Sequence, residues 1–145
     1  LYGRFDKFSP ENSHLVAAII HKIHQAKKSN LNEIEIWGDG TVRREFMYAA
    51  DLADLLFRSI EDFDSIPENM NVGLGYDMAV NDYYAEAAKV IGFSGGFTHK
   101  KTKPVGTTQK LVNIDLQTRW GWKPNTSLKV GLQKSYEFYL KEIAK

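Results

Sequence analysis

Apolar residues recur at helical spacing in several stretches of the chain. The clearest set is Leu15, Val16, Ile19, Ile20 and Ile23, which are spaced as on the buried face of a helix. The run 9–11 supplies a capping serine, a proline suited to the first turn and an acid, so we predict that this helix begins there and ends near Asn30. Similar patterns predict four more helices. The first is capped by Asp51 and ends at the loop 62–69. The others run from 80 or 81 to about 91, from 115 to 121, and from the capping Ser127 to about 143.

Short strands are predicted between these helices. Residues 33–37 alternate polar and apolar side chains and run into the tight turn Gly38-Asp39-Gly40. Further strands are predicted at 70–73 and 97–99, with an extended segment at 110–114. Because short strands alternate with helices, we predict an α/β fold with small sheets and several helices.

Composition narrows the class of protein. A chain of 145 residues with 43% hydrophobic and 26% charged residues is typical of one soluble globular domain. Its 19 basic residues nearly balance 18 acidic ones, so the net charge gives no reason to expect a nucleic acid or a membrane as partner. There is no cysteine, which is compatible with the cytoplasmic location that we expect. The first residue is Leu1 rather than methionine, and we expect a fragment of a longer protein.

The stretch from Trp37 to Asp51 carries the most informative chemistry. Its glycine turn is predicted to bring one indole and the guanidinium groups of Arg43 and Arg44 together. An indole stacks on a base, and a guanidinium matches phosphate oxygens in pairs, so the run favours a site for a nucleotide diphosphate. The alternative for Arg44 is a solvated charge beside Glu45.

Histidines offer a second kind of chemistry. His14 has the residue type most often used as a general acid near neutral pH, although a lone histidine is more often a polar surface residue. His21 and His24 are three residues apart and could share a metal ion, but no third ligand is evident. We therefore predict no metal site.

Ordered motifs along the whole chain resemble one family. The motifs are Asn12-Ser13-His14, Trp37-Gly38-Asp39-Gly40-Thr41, Arg44-Glu45-Phe46 with Asp51, Asn71-Val72-Gly73, Lys103-Pro104-x-Gly106-Thr107 with Lys110, and Gly121-Trp122. They resemble the C-terminal half of the GDP-L-fucose synthases, which belong to the extended short-chain dehydrogenase/reductases (the NAD-dependent epimerase/dehydratase family). The resemblance implies that residues 1–145 form a substrate-binding domain fragment whose N-terminal Rossmann half is absent.

The same resemblance implies an activity that this chain cannot perform alone. The family's glycine-rich dinucleotide loop and Tyr-x-x-x-Lys pair have no counterpart in the sequence. The full-length protein would be an NADPH-dependent 3,5-epimerase/4-reductase of GDP-4-keto-6-deoxy-mannose, with NADP bound mainly by the missing half. Segments at about 51–73 would dock on that Rossmann half, and the protein would be a homodimer.

Site residues follow from the resemblance, position by position. His14 matches a catalytic histidine that returns a proton to the sugar, opposite a cysteine from the missing half. Leu1 and His14 match positions beside the cofactor. The remaining matches are to substrate-binding residues: Lys22, Trp37, Arg44 and Lys110.

Two departures from the family pattern leave the sugar open. Val105 replaces an aspartate that contacts substrate in the family, and Gln109 replaces an arginine. A related GDP-sugar, such as a GDP-heptose, is therefore an alternative substrate. Two functions without catalysis also fit the residues: a nucleotide-sugar binding module, and a scaffold domain without a ligand.

Overall fold

The computed structural model describes residues 1–103 and 105–144, and within them five helices alternate with five short strands. The helices are α1 Leu15–Lys28, α2 Ala49–Glu61, α3 Val80–Ile91, α4 Asp115–Trp120 and α5 Leu128–Glu142. The strands are β1 Glu33–Trp37, β2 Arg43–Arg44, β3 Met78–Ala79, β4 Gly96–Lys100 and β5 Gln109–Lys110. The predicted α/β class, with small sheets and several helices, is confirmed.

The strands form two small sheets. In the first sheet, β1 pairs with β4 in parallel, with Glu33 opposite Gly96 and Trp37 opposite Lys100. The second sheet has the order β3-β2-β5, in which β2 is antiparallel to β3 and parallel to β5. Strand β2 therefore lies at the centre of this second sheet, with β5 at one edge.

The main core lies where α1, α3 and α5 pack together beside β1. Helix α1 buries the predicted apolar face, including Val16, Ile19, Ile20 and Ile23. Each such side chain stabilises the fold by roughly 1.5–3 kcal/mol relative to its exposed state. This core holds the two small sheets against the helices and so fixes the loops that carry the candidate site.

The predicted start of the first helix is wrong. Residues 10–12 form a turn, and His14 has an extended backbone (ψ 162°), so α1 begins at Leu15. Serine and proline favour turns as well as helix starts, and the apolar repeat itself begins only at Leu15. As a result, His14 occupies the N-cap position without using its side chain as a cap.

Asp51 does not cap α2 as predicted. The helix begins at Ala49 with Tyr48 as its N-cap residue, and Asp51 lies in the first turn. Its carboxylate instead accepts hydrogen bonds from the Thr126 backbone N–H (3.1 Å) and from the Thr126 hydroxyl (2.8 Å). Asp51 therefore fastens α2 to the segment that leads into α5.

The predicted strand at 70–73 is also wrong. Gly73 pairs with the buried side-chain amide of Gln117, which accepts from the Gly73 N–H (2.9 Å) and donates to its carbonyl (3.0 Å). This side-chain amide satisfies the backbone groups that a neighbouring strand would otherwise satisfy. The predicted extended segment 110–114 contributes to a strand only at Lys110.

The remaining predicted elements are confirmed. The strands β1 and β4, the helices α3 and α4, and the helix α5 with Ser127 as its cap lie where the pattern placed them. Gly92 and Gly121 end α3 and α4 in the left-handed conformation. Among the described residues, every helix is too short or too polar to cross a membrane.

Candidate functional site

A cleft of about 890 Å³ opens between the first residues of the chain, the start of α1, and the segment from β2 to α2. Its lining includes four of the site residues predicted from the sequence: Leu1, His14, Arg44 and Lys110. These residues are up to 109 positions apart in the sequence, and the fold brings them to one place. The cleft is therefore the candidate site.

The parallel pairing of β2 and β5 places two of the three basic residues that line the cleft side by side, the third being Arg4. Arg44 lies opposite Lys110, and Arg43 lies opposite Gln109. Neighbouring strands are roughly 4.8 Å apart, and equivalent residues of a parallel pair point to the same face. Arg44 and Lys110 therefore form a pair of cations at the wall of the cleft.

Arg44 is held by its own backbone and by a buried tyrosine. The Tyr83 hydroxyl donates to the Arg44 carbonyl (3.0 Å), and Arg44 Nη1 donates to the Arg43 carbonyl (2.7 Å). Burial raises the pKa of Tyr83 to about 12, so its hydroxyl stays protonated as a donor at neutral pH. The sequence offered no local signal for this support, because Tyr83 lies on α3.

Leu1 and His14 form another part of the wall. A parallel bridge between Tyr2 and Tyr48 joins the first residues to the start of α2. In it, the Tyr2 N–H donates to the Met47 carbonyl (3.1 Å), and the Ala49 N–H donates to the Tyr2 carbonyl (2.8 Å). Leu1 is 56% exposed at the cleft, and His14 is exposed. Both side chains are thus accessible to a bound molecule.

Arg43 does not join Arg44 in the cleft. Its Nε donates to Asp77 Oδ1 (2.6 Å), and its Nη2 donates to the Asp77 carbonyl (2.7 Å). The Gln109 amide donates to the second carboxylate oxygen of Asp77. The Gln109 hydrogen bond, and then that of Arg43, lowers the pKa of Asp77, so this carboxylate is ionised at neutral pH. Only one of the two neighbouring guanidinium groups is therefore directed to the candidate site.

Glu45 is a structural residue that sequence reasoning missed. Its Oε1 accepts from the backbone N–H groups of Leu74 and Gly75 (2.8 Å for Gly75), and its Oε2 accepts from the Val112 N–H (3.1 Å). The carboxylate thereby connects the two loops that flank β2. Among the described residues, Arg44 and Glu45 form no ion pair with each other.

Trp37 and Lys22 lie together, outside the lining of the cleft. The indole is 57% exposed, with Lys22 Nζ 5.3 Å and Lys103 Nζ 4.9 Å from its ring centroid. Lys22 also donates to the Glu35 carbonyl (3.3 Å), and burial lowers its pKa although Glu35 opposes this. The result is a second candidate group that consists of an indole and two ammonium groups.

Described residues of the loop 101–108 contact both groups. Lys103 lies over Trp37, a Cβ added at Gly38 would meet Val105, and a Cβ added at Gly106 would lie 3.7 Å from Arg44 Nη2. Pro104, part of the family motif, lies outside the described residues. The described residues of this loop therefore extend from the indole group to the guanidinium of Arg44.

His21 and His24 do not face the cleft. His21 Nδ1 is 3.0 Å from the Tyr139 hydroxyl and His24 Nδ1 is 3.1 Å from the Tyr136 hydroxyl, so both histidines join α1 to α5. Burial lowers the pKa of each. Across residues 1–103 and 105–144, no group of three acidic or histidine side chains could hold a metal ion.

A concave cleft with a few polar groups among apolar ones is the usual form of a small-molecule site, and the neighbouring cations Arg44 and Lys110 are donors suited to an anion. The sequence model of the NAD dependent epimerase/dehydratase family matches residues 1–73, which include His14 and Arg44. The chain therefore belongs to the NAD dependent epimerase/dehydratase family.

Named relatives are longer than this chain. A GDP-L-colitose synthase from Yersinia pseudotuberculosis is 46% identical over 142 residues, which are 98% of this chain and 46% of that protein. A GDP-L-fucose synthase from Azorhizobium caulinodans is 46% identical over 140 residues, which are 97% of this chain and 45% of that protein. A solved GDP-mannoheptose C4 reductase from Campylobacter jejuni with NADP bound has a TM-score of 0.82 at 26% identity, covering 96% of this chain and 50% of that one. The chain spans about half the length of these relatives.

Proposed function

We propose that this chain is the substrate-binding part of a GDP-L-fucose synthase-like enzyme, an NADP-dependent epimerase and reductase of GDP-4-keto-6-deoxy-mannose. The observation that carries the proposal is the pairing of Arg44 with Lys110 at the wall of a cleft that also holds His14. A nucleotide sugar has a diphosphate beside its sugar. The paired cations suit the diphosphate, and the nearby imidazole suits the sugar.

Arg44 and Lys110 hold the diphosphate in this proposal. A guanidinium can donate two parallel hydrogen bonds to phosphate oxygens, and an ammonium adds a compact point charge. Trp37 binds the base beyond the loop 101–108, where its exposed indole is flanked by Lys22 and Lys103. Occupation of an indole face by a base requires that a lysine side chain there moves aside.

His14 acts as the proton donor to the sugar. Its side chain is exposed at the cleft and is not used to cap α1, so it is available to a bound molecule. An imidazole exchanges protons readily near neutral pH, which suits a step in which a proton returns to carbon.

NADP fits the edge of the same cleft. Leu1 offers an exposed apolar side chain and His14 a polar ring, which together suit one flank of a nicotinamide. When bound, NADPH supplies the hydride for reduction of a ketone. The contribution of this chain is to flank the cofactor and to hold the sugar nucleotide.

The segment 51–73 docks on the dinucleotide-binding half in this proposal. Several apolar side chains here are strongly exposed: Leu56 at 54%, Phe57 at 65%, Ile60 at 75% and Phe63 at 75%. Such a patch marks an interaction surface in a globular protein. Replacing Phe57 with aspartate should abolish co-purification of this chain with a separately expressed N-terminal half, whereas Lys89→Asp on α3 should not.

The complete enzyme is a homodimer in this proposal.

A related GDP-sugar is the second candidate substrate. Val105 packs against Gly38 and presents no acceptor, while Gln109 is bound to Asp77. The family's aspartate and arginine contacts at these two positions are therefore replaced. The named relatives that act on other GDP-sugars favour this alternative.

Calorimetric titration of GDP, UDP and dTDP tests the proposal. We expect GDP to bind most tightly, and Arg44→Ala to weaken it by about 10- to 100-fold, because a hydrogen bond to a charged group contributes roughly 1.5–3 kcal/mol. Arg119→Ala is the matched control, since Arg119 is exposed on α4 and donates to the Asp115 carbonyl. The titration should use both this chain and the natural polypeptide that contains it.

Two results would contradict the proposal. Failure of the natural polypeptide to bind any of the three nucleotides would refute the nucleotide site. Equal losses in Arg44→Ala and Arg119→Ala would show that general charge, rather than the cleft, is responsible. If GDP binds as expected, turnover with NADPH and a series of GDP-4-keto sugars then separates the two candidate substrates.

A further inference from the structure

Two neighbouring arginines on β2 face opposite sides of the second sheet. Successive side chains of a strand alternate, so Arg43 and Gln109 share one face while Arg44 and Lys110 share the other. The cleft lies on the side of Arg44 and Lys110. The side of Arg43 and Gln109 is occupied by Asp77, which immediately precedes β3.

Asp77 joins all three strands of this sheet. One oxygen of its carboxylate accepts a hydrogen bond from Arg43 Nε (2.6 Å), and the other accepts one from the Gln109 amide. The Asp77 carbonyl accepts a third from Arg43 Nη2 (2.7 Å). The Asp77 side chain is only 5% exposed, although Arg43 is about half exposed. Both carboxylate oxygens are thus used inside the chain, and Asp77 is sheltered from a ligand.

Strand β5 depends on this connection. It has two residues, Gln109 and Lys110, and both are exposed, so no buried side chain anchors it. Backbone hydrogen bonds also join β5 to β2, with the Arg43 N–H donating to the Thr108 carbonyl at 2.8 Å next to it, and two residues beyond the strand the Val112 N–H donates to Glu45 (3.1 Å). The Gln109 bond to Asp77 therefore limits how far β5 can shift along or away from β2.

The position of β5 sets the distance between two cations. Lys110 follows Gln109 directly, and its partner Arg44 follows Arg43. A diphosphate offers two linked anionic groups, and Arg44 and Lys110 can each bind one of them only when their separation matches that of the two groups. A monophosphate needs only one. A shift of β5 would therefore affect diphosphate binding much more than monophosphate binding.

We propose that Asp77 is a positioning residue that holds β2 and β5 in register and thereby sets the Arg44–Lys110 pair for a nucleoside diphosphate. This inference rests on the proposed function of the cleft and adds to it a preference for diphosphate over monophosphate. Asp77 acts without touching the ligand. Gln109, where the family pattern has arginine, and Arg43 share the donor role on either side of Asp77.

The experiment compares GDP and GMP affinities in the natural polypeptide that contains this chain. We expect Asp77→Asn to weaken GDP about tenfold, which corresponds to about 1.4 kcal/mol, and to change GMP affinity by less than about twofold. Arg43→Gln should have the same selective effect. Combining the two should give less than the sum of the separate losses, because both break one connection.

A swap variant keeps the test independent of folding defects. Arg43→Gln together with Gln109→Arg moves the guanidinium across Asp77 while preserving one guanidinium and one amide around it. We expect this double variant to recover GDP affinity to within about threefold of the original, which is under about 0.7 kcal/mol. Glu86→Gln is the charge control, since Glu86 pairs only with Lys89 in an exposed pair on α3 among the described residues.

The outcomes separate this inference from the proposed function. If the unaltered protein binds no GDP, the proposed function fails and the inference fails with it. If GDP binds and Arg44→Ala weakens it as expected, but Asp77→Asn is neutral, only the inference is refuted. Equal losses of GDP and GMP in Asp77→Asn, or no recovery in the swap variant, would also refute it, since general destabilisation would then explain the effect.

Discussion

Replacement of Glu45 by alanine tests whether one carboxylate holds the loops around the cleft. The side chain accepts three backbone N–H groups, from Leu74, Gly75 and Val112. Two of these residues lie in the loop before β3 and one lies after β5. Alanine removes both acceptor oxygens, and with them all three hydrogen bonds, and leaves β2 itself intact.

The expected loss can be worked out from the exposure of the three donors. The hydrogen bond from Leu74 is half-buried, and its loss should cost about 2 kcal/mol, within the range for bonds to a charged group. The donors of Gly75 and Val112 are exposed and can bond water instead, so each should cost only about 0.5 kcal/mol. The free energy of unfolding should therefore fall by about 3 kcal/mol.

Thermal unfolding followed by circular dichroism measures this loss. For a domain of this size, 1 kcal/mol corresponds to roughly 2–4 °C, so Glu45→Ala should lower Tm by about 6–12 °C. Glu45→Gln keeps one acceptor oxygen for Leu74 and Gly75 and should lose roughly a third as much. Glu86→Ala is the control, because an exposed pair three residues apart on a helix contributes at most about 0.5 kcal/mol.

A small effect would refute this reasoning. If Glu45→Ala lowers Tm by less than about 2 °C, or no more than Glu86→Ala does, then water replaces the carboxylate at all three donors. A fall in Tm that is equal in the alanine and glutamine variants would show that the charge matters and the geometry of acceptance does not.

Three further predictions concern pH, packing and catalysis. Because burial lowers the pKa of His21 and His24, the folded chain binds fewer protons than the unfolded chain near pH 6. The free energy of unfolding should therefore be greatest above pH 6.5 and fall as the pH drops below that value. In urea titrations, a variant in which both histidines are replaced by glutamine should show a shallower fall. Gly131→Ala should destabilise the fold by about 1–3 kcal/mol despite its better helix propensity, because the added Cβ would clash with the buried Tyr2 hydroxyl. Adding Tyr2→Leu should restore stability in the same titration. In the natural polypeptide, His14→Gln should lower turnover at least about 100-fold while calorimetry finds GDP affinity unchanged; a parallel loss of affinity would contradict the assigned role.

The sequence predicted the elements whose determinants are local. The apolar repeat of α1, the serine cap of α5 and the glycine ends of α3 and α4 all act within a few residues. These signals do not depend on the rest of the fold. The corresponding predictions were therefore confirmed apart from the start of α1.

Elements set by distant partners could not be predicted in this way. The backbone of Gly73 is paired by the Gln117 side chain, 44 residues away, and nothing near residue 73 indicates such a partner. Strands β2 and β5 have two residues each and pair across 66 positions. Runs this short carry no measurable periodicity, so their pairing is visible only in the folded chain.

The candidate site was only partly visible in the sequence. Residue types and family motifs nominated His14, Arg44 and Lys110, and the structure brings them together in one cleft. The different orientations of Arg43 and Arg44 depend on Asp77, which lies 34 residues from Arg43. Glu45 was missed for a similar reason, because its three partners are backbone groups of remote loops and leave no trace in residue type.

The attachment of loop 101–108 at both ends has a consequence for how this family could diversify. Lys100 closes one end in its pairing with Trp37, and Gln109 closes the other in its pairing with Arg43. A loop between two fixed ends can become longer at a small cost in loop-closure entropy, about 0.6 kcal/mol for each doubling of the number of its residues. If the proposed function holds, loop sequences of different length can replace one another during evolution and change the sugar that is accepted, without moving Arg44 and Lys110.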